Sequence, residues 1–498
     1  MLLKWLKYTW LSFLCNRNLK TGNYERALFY SKELLSLFPE DSDVHTTTGY
    51  CYRKLNQYSE AVKSLEHALS IKPDDADTHA NLGCTLVDSE KYQEAVDEFH
   101  RCFRIDSKLR EVYIEYYSCA LFNLEKYDKA LEAYKEAVKL NPKSDNAYCG
   151  LGWTFYKIHN NSEAEEPLRT VLKLNPQNLD AHYCLANVLD ELGKRTEARD
   201  QFEEYAKLNP GSPEAHYCLG LACYNDKKFD KSVSEYLKSI RLRPDYLEAY
   251  YNLALAYEEL GKNDDALEAY REAVRINPND WKALVNLAVL LNKIRKFDEA
   301  IPIWTQVIEL KPNDPTLRVS LGCALYETGR YREAIQAYEN VLELMPDFAV
   351  GYYNIGLYNL HLEEYETAVE FEKKALVMDP SMANAYCVLG LALAAQGKND
   401  DALDAYEHAI KFNPEQAETW HNMGDLFMEM EQYSDAIKRY ERALQLQPDI
   451  PDTHHALGLA YLKLGNMADA LKYSDLLHEL DVDKENDLRK QIALLQKK

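Results

Sequence analysis

The chain has 498 residues, and 58 Lys and Arg against 81 Asp and Glu leave a net charge of −23. That balance argues against a basic nucleic-acid footprint and against adhesion of the whole surface to anionic membranes, though a local basic patch stays open. A hydrophobic fraction of 46% and a charged fraction of 28% exclude wholesale disorder, and no apolar run reaches the roughly 18 residues of a spanning helix.

The opening stretch, MLLKWLKYTWLSFLC, is interrupted by Lys4 and Lys7 and lacks a small-residue cleavage site. It reads as a first helix rather than a cleaved signal. Prolines then punctuate the chain. Pro39 and Pro73 are 34 apart, and Pro142, Pro176, Pro210 and their successors to Pro448 follow at intervals of 34. The gap from Pro73 to Pro142 is 69, so one repeat holds an extra residue and Ser107 replaces its proline. A last repeat ends near Val482, which makes fourteen.

Two further registers run with the prolines. Twelve residues before each repeat end stands alanine (Ser232 is the exception), as at Ala61, Ala266 and Ala436. Twenty-four residues before it stands a small residue, as at Gly49, Gly220, Ala254 and Gly424. The repeat 245–278 shows the physics. Tyr250, Leu253, Ala254 and Tyr257 share one helical face. Gly261 ends that helix, and Asp264 or Asp265 is expected to cap the next. Ala266, Tyr270, Ala273 and Val274 form the second stripe, and Pro278 turns the chain out. Each hairpin leaves apolar surface that only its neighbour can cover, so the repeats must stack.

The ends read as caps: a degenerate repeat over 1–41, the array over 42–484, and a capping helix over 485–498 with Leu488, Ile492 and Leu495 on one side. Pro167 and Pro302 fall inside second helices, where bends are expected. The extra residue near Ser107–Glu111 predicts a third irregularity.

Little in the chain promises chemistry. Gly390 and the Gly397-Lys398 pair have the wrong spacing for a phosphate loop, and Gly397-Lys398 reads as a helix–helix turn. His45, His79, His182, His216 and His454 share the register of Tyr148, Tyr250, Tyr352, Tyr386 and Trp420, so they read as packing residues rather than metal ligands. The 11 cysteines are scattered without a CxxC, which suits free thiols in a reducing compartment and hence a cytoplasmic location. No catalytic residue, metal site or cofactor is expected, and the chain reads as a non-enzyme.

Trp420-His421-Asn422-Met423-Gly424, then Ala436, Tyr440, Ala443 and Pro448, closely resemble the tetratricopeptide repeat (TPR) signature. The resemblance extends over about residues 8–484. It implies an all-α fold, a right-handed α-α superhelix of about fourteen helix-turn-helix repeats, with first helices lining a concave channel that binds proteins or peptides.

A second stripe on the first helices then falls on that channel. It lies 27, 26, 23 and 20 residues before each repeat end. The candidate partner-binding residues are Tyr183, Tyr217, Tyr251 and Tyr353; Asn81, Asn252, Asn286, Asn354 and Asn422; Trp153 and Asn187; and Phe122, Tyr156 and Tyr224. Tyrosine and tryptophan give large contact area with a polar tip, and an asparagine amide both donates and accepts. The asparagine register resembles the ladder in the superhelical arm of O-linked N-acetylglucosamine transferases. The carboxylate clamp of chaperone-binding arrays is disfavoured, because these registers hold few Lys or Arg and Lys282 is isolated. The leading expectation is a non-catalytic scaffold that binds an extended, basic or neutral polypeptide in the groove, alone or as a subunit of a larger complex. The alternative is the substrate-recruiting arm of an enzyme complex whose catalytic part is absent from this chain.

Overall fold

Ser144, in extended backbone, accepts a hydrogen bond from the Ala147 amide at 3.1 Å and so starts the helix Asp145–Lys157. The chain then turns through His159 at φ 58° and enters a second helix, Asn161–Leu174, which stops two residues before Pro176. Asp41, Asp75, Asn178 and Ser212 cap other first helices in the same way. The computed structural model of the chain describes residues 2–496; it has twenty-nine helices, and no strand occurs among the described residues. The fold is an all-α tetratricopeptide solenoid.

Second helices start differently. Asp264 and Asp265 lie inside the first turn of Asn263–Ile276, and Lys262 takes the cap position without a side-chain bond. The expected aspartate cap is therefore corrected. The turn delivers the chain into the helix through a left-handed residue, and the two carboxylates favour the positive end of the helix dipole instead. That left-handed residue is Gly193, Gly261, Gly329, Gly397 or Gly465 in some repeats and Glu90, Glu125, Lys227 or Glu431 in others. A side chain in this conformation costs free energy that glycine avoids. Glu125→Gly is expected to stabilise the chain by about 1 kcal/mol. Denaturant unfolding checks this, and a lower midpoint would contradict it.

The chain forms two compact units, Met1–Gly261 and Lys262–Lys498. In the first, each second helix packs on its own first helix and on the next one. First helices also touch each other directly: Ser42–Lys54 meets Ala76–Asp88, which meets Leu109–Asn123, then Asp145–Lys157, then Leu179–Glu191. Elements on the inside of a curved stack lie closest, so within this unit the first helices form the inner face. The second unit repeats the pattern, from Ala349–His361 through Ala383–Ala395 and Ala417–Glu429 to Pro451–Lys463.

The small-residue registers set the spacing. A Cβ on Gly220 would stand 2.7 Å from the Tyr236 ring, and one on Gly424 would stand 2.5 Å from Tyr440. The rings are almost wholly buried in that space. The alanine register, from Ala27 to Ala470, is closed to solvent as well.

The extra residue is absorbed at a helix start. Leu109–Asn123 has 15 residues where the other array first helices have 13, and Lys108 precedes it in helical backbone. Three amides there bond carbonyls only three residues back, Leu109 to Asp106, Arg110 to Ser107 and Glu111 to Lys108. Pro167 and Pro302 end neither helix: Asn161–Leu174 and Phe297–Leu310 run to the usual 14 residues.

The last helix, Val482–Gln496, begins three residues before the expected 485. Leu488 and Ile492 are buried against Leu462, Ala470 and Leu477, whereas Leu495 is 45% exposed and outside the packed side. Residues 1, 497 and 498 of the expected caps lie outside the described residues. No helix among the described residues is long and apolar enough to cross a membrane.

Candidate partner-binding face

Every one of the fourteen candidate residues is half-buried. Residues of a stripe beside the packing stripe have one flank against a neighbour and one open flank.

In the first unit the aromatic members gather into clusters rather than an even ladder. Trp153 meets Tyr156 edge-on at 5.9 Å and stacks on Tyr183 of the next repeat at 6.1 Å, 26° from parallel. Tyr183 also leans on Tyr205 and Phe202. One repeat on, Tyr217 packs against Tyr246 at 5.1 Å and Tyr236 at 6.0 Å. Its hydroxyl accepts a hydrogen bond from Asn252 Nδ2 at 3.1 Å. Phe122 rests on Tyr127, and Tyr224 on Phe229. Burial pushes the phenols of Tyr156, Tyr183, Tyr217 and Tyr224 up, so they stay protonated and serve as neutral donors and acceptors.

The asparagines are more committed than their sequence register suggests. Asn81 Nδ2 donates to Asp77 O at 2.9 Å, Asn252 to Glu248 O at 2.8 Å, and Asn187 to Tyr183 O at 2.7 Å. Each thus bonds the carbonyl four residues back on its own helix. In the second unit Asn422 Nδ2 reaches Cys387 Sγ at 3.6 Å. Burial raises the Tyr353 hydroxyl to about 12. Asn286 and Asn354 lie on the first helices Trp281–Lys293 and Ala349–His361.

Phe122 and Trp153 share an open cavity of about 640 Å³ with Tyr116, Cys119 and Tyr134. Gly150 makes room for the Tyr134 ring in its wall: other repeats carry asparagine there, as at Asn81 and Asn252, whereas a Cβ on Gly150 would lie 2.2 Å from that ring. Asp88, Glu115, Asp180 and Lys157 line the cavity too. Asp88 also accepts from Arg53 at 2.6 Å. Tyr116 and Cys119 occupy two of the four groove registers and were legible from spacing; the seat that Gly150 gives Tyr134 was not.

The shared histidine register has a further purpose. His79 Nε2 lies 2.9 Å from Pro73 O, His182 3.0 Å from Pro176 O, and His454 2.7 Å from Pro448 O. Trp420 Nε1 and Tyr352 Oη donate to Pro414 O and Pro346 O in the same way. This side chain satisfies the carbonyl of the proline that closes the preceding repeat. On its other nitrogen, His79 meets Glu98 at 2.6 Å, which holds its pKa above the ordinary histidine range.

All eleven cysteines are free, and burial pushes Cys149 up to about 12 and raises Cys119, so these are thiols rather than thiolates. Among the described residues no group of three or more His, Cys, Asp or Glu could hold a metal ion.

No curated protein matches the sequence. Among solved structures, the chain is similar to the APC/C hetero-tetramer Cut9–Hcn1, at 18% identity over 97% of this chain and 96% of that one, with a TM-score of 0.39. A tetratricopeptide repeat protein from Parabacteroides merdae is similar at 17% identity, over 50% of this chain and 98% of that one, with a TM-score of 0.43. YrrB, described as a TPR protein with an unusual peptide-binding site, is similar at 24% identity, over 38% and 98%, with a TM-score of 0.31. Profiles of the TPR repeat match residues 49–88, 120–158, 220–261, 390–430 and 424–465. Profiles of the tetratricopeptide repeat match 149–212, 247–280, 269–301 and 319–383. The matched stretches cover more than two thirds of the chain and share its proline, alanine and glycine registers, and on them the chain belongs to the tetratricopeptide repeat family.

Proposed function

We propose that this protein is a non-catalytic interaction scaffold that holds an extended, basic or neutral polypeptide segment on the first-helix face of its first unit. The observation that carries this reading is the cavity between Phe122 and Trp153. Four aromatic side chains line it, together with Asp88 (paired with Arg53), Glu115, Asp180 and Lys157, and the half-buried Trp153–Tyr183 stack continues from it. Aromatic rings beside carboxylates suit a partner side chain that has an aliphatic stem and a cationic tip. The chain's charge of −23 adds long-range attraction for such a partner.

The reading as the recruiting arm of an enzyme has less support. A peptide-gripping asparagine ladder needs free amide donors, and Asn252 spends its amide on Tyr217 and Glu248 while Asn81 spends one of its two N–H groups on Asp77.

The test is selection of extended peptides on the immobilised chain, followed by titration of the best binders. Lys- or Arg-containing peptides are expected to be enriched, and their association to slow with added salt. Trp153→Ala combined with Tyr217→Ala is expected to weaken binding at least about tenfold, roughly 1.4 kcal/mol, while circular dichroism stays near that of the parent. Tyr406→Ala, which truncates a fully buried ring, serves as the unfolding control. Selection of acidic peptides, or full binding by a folded double variant, would overturn the proposal.

A further inference from the structure

The helix Leu2–Lys20 buries Leu11 and Cys15 against the rest of the first repeat. Its opposite side is apolar too. Leu6, Trp10 and Phe13, at i, i+4 and i+7, are 53%, 60% and 63% exposed, and Trp5 beside them is 63% exposed. An exposed apolar cluster of this kind marks a contact site.

Trp10 occupies a telling register, twenty-nine residues before Pro39. In later repeats that position packs on the preceding repeat: Val44 with Leu34, Ala181 with Val171, Ala215 with Ala206. It holds Val, Thr, Ala, Gly or Leu in every later repeat except the one with the extra residue, where Tyr113 stands. An indole overfills a contact built for side chains of that size. A second copy stacked in the array's own geometry is therefore disfavoured as the cover for this face.

The charge of the helix points elsewhere. It carries Lys4, Lys7, Arg17 and Lys20, all exposed, and no Asp or Glu. Over residues 1–37 six Lys and Arg meet only two Glu, the reverse of the whole chain at −23. Arg17 and Lys20 continue the stripe of Leu6, Trp10 and Phe13 at helical spacing. Indole rings beside aliphatic and phenyl side chains, bordered by lysine and arginine, match the boundary between lipid headgroups and acyl chains. The four charges keep this helix from being apolar enough to cross a membrane.

We propose that this face docks on an anionic lipid surface. Leu6, Trp10 and Phe13 enter the headgroup–acyl boundary, while Arg17 and Lys20 on the same stripe and Lys7 on its flank pair with lipid phosphates and carboxylates. Binding of this kind takes both terms, because either the apolar or the electrostatic contribution alone is weak. The proposal stands independently of the peptide-binding face.

The experiment is co-sedimentation of the full chain with vesicles of phosphatidylcholine alone and of phosphatidylcholine mixed with phosphatidylserine. Tryptophan quenching by brominated lipid serves as a second readout. The chain is expected to sediment with the mixed vesicles, to be released by salt, and to be quenched. Trp10→Ala with Phe13→Ser is expected to lower vesicle affinity at least about tenfold, and Arg17→Glu with Lys20→Glu by a similar factor. All four side chains are exposed, and circular dichroism verifies that the variants remain folded. Equal sedimentation of both variants with the parent, or none with mixed vesicles, would overturn the proposal. So would concentration-dependent self-association that Trp10→Ala abolishes, since a second copy would then be the occupant.

Discussion

Replacing Glu372 with leucine is expected to stabilise the second unit by about 2–3 kcal/mol. Glu372 stands eight residues before Pro380, the register that holds Leu65, Leu168, Tyr338, Tyr406 and Tyr440 elsewhere. It is closed to solvent, and neither carboxyl oxygen has a hydrogen-bond partner. Leucine fits because Leu65 and Leu168 already fill this slot opposite Gly49 and Gly152, as Glu372 does opposite Gly356. The substitution replaces an unsatisfied polar group with an apolar one at a site built for it.

The same residue predicts a pH dependence. Burial holds the Glu372 carboxyl well above its ordinary 4.5, so it is neutral in the fold and ionised in the unfolded chain near neutrality. The folded state then binds one more proton than the unfolded state. Stability contributed by this group is complete below pH 4.5 and declines as pH rises toward the raised value. Glu372→Gln is expected to flatten that decline, and Glu372→Leu to flatten it and raise the whole curve. Denaturant unfolding of the three chains across this range is the measurement. A parent chain more stable at neutral than at mildly acidic pH, with no difference in Glu372→Gln, would contradict the assignment.

Gly390→Val is expected to cost about 3 kcal/mol. A Cβ there would stand 2.5 Å from Tyr406 Cε1, and the Tyr406 ring, 1% exposed, is enclosed by the core that also holds Leu393, Met423 and Leu457. The ring cannot yield without moving a helix, and valine adds a second branch to the clash. Combining Gly390→Val with Tyr406→Ala is expected to be much less destabilising than the two costs added, because the second change removes the atoms the first one strikes. Hydrogen exchange in the helices Ala383–Ala395 and Asn399–Phe412 would localise the effect. Additive losses would show that the glycine is there for another reason.

Tyr406 and Glu372 also mark how far reading the chain alone reaches. The intervals of 34 from Pro142 to Pro448, with a small residue and an alanine in step, determined helix pairs, their turns and their obligatory stacking. Those are consequences of local periodicity: helices end near proline, close approach needs glycine or alanine, and an apolar stripe demands cover. The extra residue near Ser107 was equally plain, because one interval was too long.

Which partners the half-buried side chains meet, most of them about one repeat away, was decided by tertiary structure. Asn252 spends its amide on Tyr217 and Glu248, and Trp153 stacks on Tyr183 while Tyr217 turns to Tyr246. Gly150 seats the Tyr134 ring, at a register where other repeats carry an asparagine side chain. Which neighbour a half-buried side chain meets depends on the rotation from one repeat to the next, and a register carries no angle. The Trp10 face is the sharpest case. Its spacing made it one more helix of the array, with Cys15 in the small-residue register, and only the packing showed that the indole, the phenyl ring and the four basic side chains are left in solvent. Periodicity places a residue on a helix, but burial depends on what lies across from it.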